Sequence, residues 1–251
     1  MMNNRCLYYT PKGVRTELIC GDSVEVLPTI KRDADLFIAD IPYNIGFNYG
    51  DAYDDNLPNE EYLSNMQKIG QACFDKCVDG GSMFIIHYPA KAAELLPLFK
   101  ECGWELHQWI TWCYNSNVGH SKNKFTTASR AVLWFSKGKP KFNHKATVQP
   151  YKNPKDKRIK ERIEQGHLGC SHYDWWTINL CKNVSKDYKG YFNQIPAELL
   201  DRIILHCTDE GDLVIDPCAG SGSTITRAEA LNRDSIGIDI NRAIITAEDE
   251  Q

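Results

Sequence analysis

Asp40-Ile41-Pro42-Tyr43 follows a short apolar run, Leu36-Phe37-Ile38-Ala39, of the length and character of a buried strand. Pro42 cannot donate to a sheet ladder, and it restricts Ile41 to extended backbone. Asp40 is therefore expected at the carboxyl end of a strand, the edge where open α/β sheets place ligands. A carboxylate, a rigid turn and an aromatic ring at such an edge can hydrogen-bond to and stack on a flat heterocycle with an exocyclic amino group. The same four residues also suit an ordinary strand followed by a proline turn with a solvated acid.

A second stretch narrows the choice. Leu213-Val214-Ile215 reads as another buried strand, and it runs into Asp216-Pro217-Cys218-Ala219-Gly220-Ser221-Gly222-Ser223-Thr224. Glycines at 220 and 222 let a backbone approach a ligand with no Cβ between them. Taken together, the two stretches resemble the amino-methylating DNA methyltransferases, which modify adenine N6 or cytosine N4 with S-adenosylmethionine. Asp40 to Tyr43 is similar to that family's catalytic Asp-Pro-Pro-Tyr, with Ile41 in place of the first proline. Asp216 to Gly222 is similar to its cofactor loop. The catalytic stretch precedes the cofactor loop, as in the permuted beta-type arrangement, and the resemblance covers roughly residues 16–136 and 191–245.

That resemblance implies roles residue by residue. Asp40 and the Ile41 carbonyl would each accept one amino proton, drawing the nitrogen toward a tetrahedral shape that frees its lone pair. Tyr43 would stack on the base, and Pro42 would hold the turn. Asp22, in Gly21-Asp22, matches an acid beside the cofactor's adenine, and Asp216 would hold the methionine ammonium or a water near it. Cys218, Ala219, Gly220, Ser221, Gly222 and Thr224 complete the loop. Asp239 ends the next strand and is placed to accept hydrogen bonds from ribose hydroxyls. A dinucleotide fold is the competing reading of Gly220-Ser221-Gly222. However, Ile225 stands at the third glycine position, and no Gly-Lys-Ser/Thr phosphate loop is present. The family's lysine before the proline at 196 is replaced by Ile195.

The elements that must position these residues are legible as a pattern. Strands are expected at 17–20, 35–39, 82–86, 105–114, 130–136, 212–215 and 235–239. Helices are expected at 59–78, 90–100, 197–206, after the loop 216–224 through Leu231, and at 241–248. The expected fold is an α/β, doubly wound, mostly parallel seven-stranded sheet. The 105–114 and 130–136 pair supplies an antiparallel edge, because no helix pattern separates them. Residues 40–57 form a long loop, read as a flexible flap over the reacting base, and Gly46 and Gly50 relax its backbone.

In a chain of 251 residues with a net charge of −4, the charge is unevenly spread. Between positions 137 and 189 lie 13 lysines and arginines against 5 acids, leaving 16 basic and 28 acidic residues elsewhere. This segment breaks the periodic pattern and interleaves cations with Phe142, Tyr151, Tyr173, Trp175, Trp176 and Tyr188. Cations and aromatics so mixed suit nucleic acid, and the resemblance puts target recognition here. Lys152, Lys155, Lys157 and Arg158 are the expected DNA contacts, against the plainer reading of a solvated insertion with a small aromatic core of its own. His167, Cys170, His172 and Cys181 match no common zinc spacing, and Cys73 and Cys77 read as core, so no metal is expected. His120 receives no role.

The domain reading is a catalytic body of residues 1–136 and 191–251 with a recognition insertion at 137–190. No apolar run reaches bilayer length, and the N-terminus lacks a signal-peptide core. Together with ten scattered cysteines and no CxxC, this suggests a cytoplasmic protein, and the resemblance implies a prokaryotic or phage-infected host cell. The functional expectation is a site-specific adenine-N6 methyltransferase acting by base flipping on double-stranded DNA, with a homodimer and a cognate restriction endonuclease as possible partners. Aspartate at position 40, rather than serine, tilts the resemblance toward adenine. Cytosine N4, RNA methylation and a catalytically silent DNA-binding module stay open as alternatives.

Overall fold

The computed structural model describes residues 5–47, 53–115, 121–181 and 194–241. The tip of the 40–57 loop (48–52), residues 116–120 with His120, residues 182–193 with Tyr188, and the helix expected at 241–248 lie outside the described residues.

Strands β1 (Arg5–Tyr9), β2 (Arg15–Cys20), β3 (Ala34–Ala39), β4 (Cys77–His87), β5 (Glu105–Cys113), β6 (Ser129–Ser136), β7 (Trp175–Thr177), β8 (Leu213–Asp216) and β9 (Asp234–Asp239) form one sheet, ordered β1-β2-β9-β8-β3-β4-β6-β5-β7. The helices are α1 (Ser23–Val26), α2 (Asn59–Asp75), α3 (Pro89–Glu101), α4 (Lys157–Glu164), α5 (Ala197–Cys207) and α6 (Ser223–Ala230). Five central strands, β2, β9, β8, β3 and β4, run parallel.

Nine strands replace the seven expected. The extra two are β1, whose outward residues alternate exposed and half-buried, and the three-residue β7 inside the basic segment. Neither carries a long apolar run, so neither announces itself as a strand. The antiparallel strand is also misplaced in the expectation. β6 is antiparallel to both β4 and β5 and lies between them inside the sheet, and β5 is interior in turn because β7 adds parallel to it on its far side. The antiparallel edge is β1, paired Arg5↔Ile19 through Tyr9↔Arg15.

Alternation along each strand divides the core between two faces. On β3, Phe37 and Ala39 join one cluster with Tyr62, Met66, Leu95 and Phe99 from α2 and α3. Leu36 and Ile38 join the other with Leu199, Leu200, Ile203 and Ile204 from α5 and Ala228 from α6. Helices on both faces of a largely parallel sheet make this a doubly wound α/β fold. Cys73 and Cys77 are buried core residues, and all ten cysteines are free thiols.

Candidate active site

Sheet order and register decide which carboxylates meet. Cys20 pairs with Asp239, Asp216 with Gly237, and Phe37 with Ile215. Asp22, Asp239, Asp216 and Asp40 therefore line the same edge of four neighbouring strands, although they span most of the chain. His87 ends β4 on that edge. Arg130 enters it from the amino end of β6, because β6 runs the opposite way.

Each acid has a local role fixed by its backbone. Asp22 caps α1 by accepting the Val24 N–H at 2.8 Å. Asp216, buried, accepts the Cys218 N–H at 3.0 Å. Asp239 accepts the Gly220 N–H at 2.8 Å through one oxygen and the Asn241 N–H at 2.7 Å through the other. The loop is also sewn to β9 by Ala219 N–H on the Ile238 carbonyl, and the Ser23 hydroxyl donates to the Pro217 carbonyl. Gly220 and Gly222 adopt φ of 47° and 71°, a region that disfavours side chains, and the space beside each is open. Ser221 and Ser223 hydroxyls meet at 2.9 Å, and Thr224 lies buried beside Asp216. Ile240, next after Asp239, exposes about half its apolar side chain at this edge.

Around Asp40 the geometry is tighter. Tyr43 donates its hydroxyl to Asp40 Oδ1 at 2.5 Å, and Arg130 donates to the same phenolic oxygen at 2.8 Å. Asp40 Oδ2 and the Ile41 carbonyl accept no hydrogen bond from the described residues. The Pro42 carbonyl accepts from the Tyr62 hydroxyl at 2.8 Å, and His87 Nε2 meets that hydroxyl at 3.1 Å. His87 Nδ1 accepts the Tyr88 N–H at 2.8 Å, so Nε2 carries the proton and donates to Tyr62. The turn is thus held rigid from its far side. The Tyr43 ring is 4% exposed, with ring centroids of His87 at 4.8 Å and Tyr88 at 5.2 Å and the Arg130 guanidinium at 4.9 Å. In this arrangement its hydroxyl, rather than an open face, is turned to Asp40.

Burial sets the protonation states. Desolvation raises the Asp40 carboxyl to about 6, although the Arg130 charge and the Tyr43 hydrogen bond pull it down. Desolvation raises Asp216 to about 7, with Thr224 and the Cys218 N–H lowering it and the charges of Asp40 and Asp239 raising it. Asp239 is also raised by burial. His87 is pushed down to about 4 by burial and is neutral near pH 7.

The described flanks of the loop after Asp40 are held by hydrogen bonds. Asp55, 2% exposed, accepts the N–H groups of Asn44, Ile45 and Phe47 at 2.8, 3.1 and 3.0 Å. Asn44 exchanges two side-chain bonds with the Leu57 backbone. Both flanks of the loop are therefore pinned. Asp55 escapes a sequence reading because an acid within a run of acids looks solvated.

Lys152, Lys155, Lys157 and Arg158 stand apart from this edge site, on the basic segment. Asp156 caps α4 through the Arg158 and Ile159 N–H groups, and no residue of α4 is buried. Lys152 lies 5.9 Å and 5.4 Å over the stacked rings of Tyr173 and Trp175. Trp176, buried, carries the Arg202 guanidinium 5.0 Å over its ring, and Trp112 donates to the Ile178 carbonyl at 2.8 Å. The segment is therefore anchored through β7 to the same sheet. His172 and His206 both meet the Thr147 hydroxyl, and no group of three metal-ligating side chains occurs among the described residues.

A family model described as DNA methylase, N6_N4_Mtase, matches residues 34–249. The chain belongs to that family, the amino-methylating DNA methyltransferases. It is 30% identical over 238 residues to the Type II methyltransferase M.HpaI of Haemophilus parainfluenzae, covering 91% of this chain and 71% of that one. It is 27% identical over 238 residues to the DNA adenine methyltransferase YhdJ of Escherichia coli, covering 91% and 79%. Among solved structures it is similar to the PvuII DNA methyltransferase (cytosine-N4-specific), with TM-score 0.72 and 20% identity over 92% of this chain and 84% of that one. TTHA0409 of Thermus thermophilus, complexed with S-adenosyl-L-methionine, gives TM-score 0.63 and 19% identity over 93% and 92%. These two likenesses establish the shared fold. The family is S-adenosylmethionine-dependent, and DNA is its substrate. Among the described residues no helix is long and apolar enough to cross a membrane.

Proposed function

We propose that this methyltransferase transfers its methyl group to adenine N6 at a specific site in double-stranded DNA, on a base flipped out of the helix. One observation carries the reading. Asp40 Oδ2 and the Ile41 carbonyl are two uncommitted acceptors on one rigid turn, beside the buried Asp216 carboxylate at the same sheet edge. An exocyclic amino group has two protons to give and a lone pair delocalised into its ring. Two acceptors draw it toward a tetrahedral shape, while bound S-adenosylmethionine supplies an electrophilic methyl group on sulfur.

The residues fit that donor. Gly220 and Gly222 leave open space above the loop, Asp216 can hold an ammonium group, and Asp239 is placed for ribose hydroxyls with Asp22 near the adenine. In the transfer the nitrogen–carbon bond forms as the carbon–sulfur bond breaks. S-adenosylhomocysteine leaves, and the surplus proton passes from nitrogen to Asp40 or to water. Holding nitrogen, carbon and sulfur in line is the main catalytic device. Flipping the base costs a few kcal/mol. Lys152, Lys155, Lys157 and Arg158 on the insertion of residues 137–190 contact phosphates, with the remainder of the chain as catalytic body. A cognate endonuclease, which the Type II names of several relatives support, and a homodimer belong to the same reading.

Cytosine N4 is the second reading, favoured by the fold likeness to the cytosine-N4-specific PvuII enzyme. Aspartate at position 40 and the resemblance to an adenine methyltransferase favour adenine. Incubation with defined duplexes and labelled S-adenosylmethionine, followed by nucleoside analysis, separates them. Label in N6-methyladenine is expected. Label in N4-methylcytosine overturns the base assignment, and label in RNA alone overturns the substrate.

A further inference from the structure

Arg130 matches no motif, yet among the described residues it is the cation brought to the catalytic turn. It is 2% exposed, which is rare for arginine, and its burial lies at the functional edge rather than in the sheet's middle. Three aromatic rings surround the guanidinium: Tyr43 at 4.9 Å, Trp112 at 5.3 Å and Tyr88 at 5.6 Å. Its Nη1 donates to the Tyr43 hydroxyl at 2.8 Å, and that hydroxyl has its own proton committed to Asp40 Oδ1 at 2.5 Å. The chain Arg130 to Tyr43 to Asp40 is directional at every step, because the guanidinium only donates and the carboxylate only accepts.

We propose that Arg130 is a positioning residue for methyl transfer: through the Tyr43 hydroxyl it fixes the Asp40 carboxylate so that Oδ1 is occupied and Oδ2 is aimed at the target amino group. This rests on the reading of Asp40 as acceptor of an amino proton, and it adds what aims that acceptor. An unrestrained carboxylate can turn about its terminal torsion and present either oxygen in any plane. With Oδ1 tied to a phenol that is itself tied to a buried guanidinium, one rotamer and one oxygen remain. The positive charge also favours the ionised carboxylate, the better acceptor. A lysine at 130 would keep the charge but lose the planar fork that packs among three rings.

The groups that face this network are few. Asp216 and Cys218 approach Asp40 from the cofactor loop, and Tyr88 and Tyr114 approach Arg130 from α3 and the end of β5. His87, beside Tyr43, stays neutral above about pH 4. Asp216, with its own value near 7, titrates in the range where Asp40 does, and bound donor would hold it ionised.

The test is single-turnover methylation of a duplex with saturating donor, followed across pH, for wild type, Arg130→Met, Arg130→Lys, Tyr43→Phe and the Tyr43→Phe/Arg130→Met pair. Donor affinity is measured by calorimetry and fold by thermal melting. Arg130→Met is expected to slow transfer by ~10²-fold with donor affinity unchanged, the scale of losing one preorganised catalytic interaction. Its acid limb moves to higher pH, because a charge that lowers the Asp40 pKa is gone. Arg130→Lys recovers the position of the limb but only part of the rate. Tyr43→Phe gives the same upward shift with Arg130 still in place, so it decides the matter even if Arg130→Met fails to fold. The double variant is expected to be no slower than the worse single one, since both cut the same chain. An acid limb that stays at the wild-type pH in Tyr43→Phe and, where it folds, in Arg130→Met overturns the proposal, as do rate losses that multiply in the double variant. An inactive wild type overturns the activity reading and this one with it, whereas an active wild type with unmoved variants overturns this one alone.

Discussion

At the scale of single residues, the proposed function asks two buried carboxylates to be ionised when they work. Asp40 is raised to about 6 and Asp216 to about 7, both chiefly by desolvation. Turnover is therefore expected to rise with pH through an acid limb near 6, which a pH–rate profile at saturating donor measures. Donor affinity is expected to fall as pH drops below about 7, because Asp216 must lose its proton to hold an ammonium. Isothermal titration at pH 6 and 8 checks this, and equal affinities would remove Asp216 from that role. Stability runs the other way. A carboxyl whose folded value lies above its unfolded value contributes stability below pH ~4 that is lost as pH rises through the folded value. Asp216→Asn is accordingly expected to melt higher than wild type at pH 8, with little difference at pH 4, while losing donor affinity. The cost of this buried charge is one that function sustains.

Elements carry the next layer. Gly237 lies on β9 directly beneath the cofactor loop, and a Cβ there would meet Ile225, Leu18 and Ala219 at 3.0, 3.1 and 3.2 Å. Gly237→Ala is expected to lift the loop from β9 at Ala219. It should cost about 1–3 kcal/mol in denaturant unfolding, the range for overpacking, and weaken donor binding. Unchanged affinity would mean that the loop holds its shape without that contact. The motif positions on either side of Gly237 are legible from sequence; Gly237 itself reads as an ordinary strand glycine, because a close approach between strand and loop leaves no trace in spacing. The same limit hid Asp55, Tyr62 and His87. Their work is to hold the turn and loop around Asp40, and each joins residues that only the packed fold brings near. Most longer helices were readable, since 3.6-residue periodicity is local, whereas α4, which buries no residue, went unseen in the basic segment. α2 starts at 59 as its pattern predicts and ends at Asp75, where the chain turns to begin β4 at Cys77.

On the scale of the whole molecule, an acidic body carries one basic segment, and that segment is tied to the sheet by β7 and by the Trp176–Arg202 contact. Neutralising Lys155, Lys157 and Arg158 together is expected to weaken DNA binding and reduce the slope of log affinity against log salt by about 2–3, since each phosphate contact contributes ~0.9 to it on duplex DNA. An unaltered slope in a filter-binding or anisotropy titration would move the phosphate surface elsewhere.

Sequence alone determined the two motifs, the order in which they occur, most elements between them, and the basic segment, because each is written in residue type and local spacing. It misjudged the sheet at both margins. β1 has one solvent-facing side and β7 is three residues long, so neither has enough apolar pattern to be seen, and β5 becomes interior only when β7 pairs outside it. What the tertiary structure decided is the company each acid keeps. Parallel register brings Asp22, Asp239, Asp216 and Asp40 to one edge, and the reversed direction of β6 delivers Arg130 to the same place from the opposite end of its strand. Strand direction and sheet order are set by long-range pairing and helix crossovers, and the burial they impose is what raises the carboxyls and lets a distant arginine reach the catalytic turn.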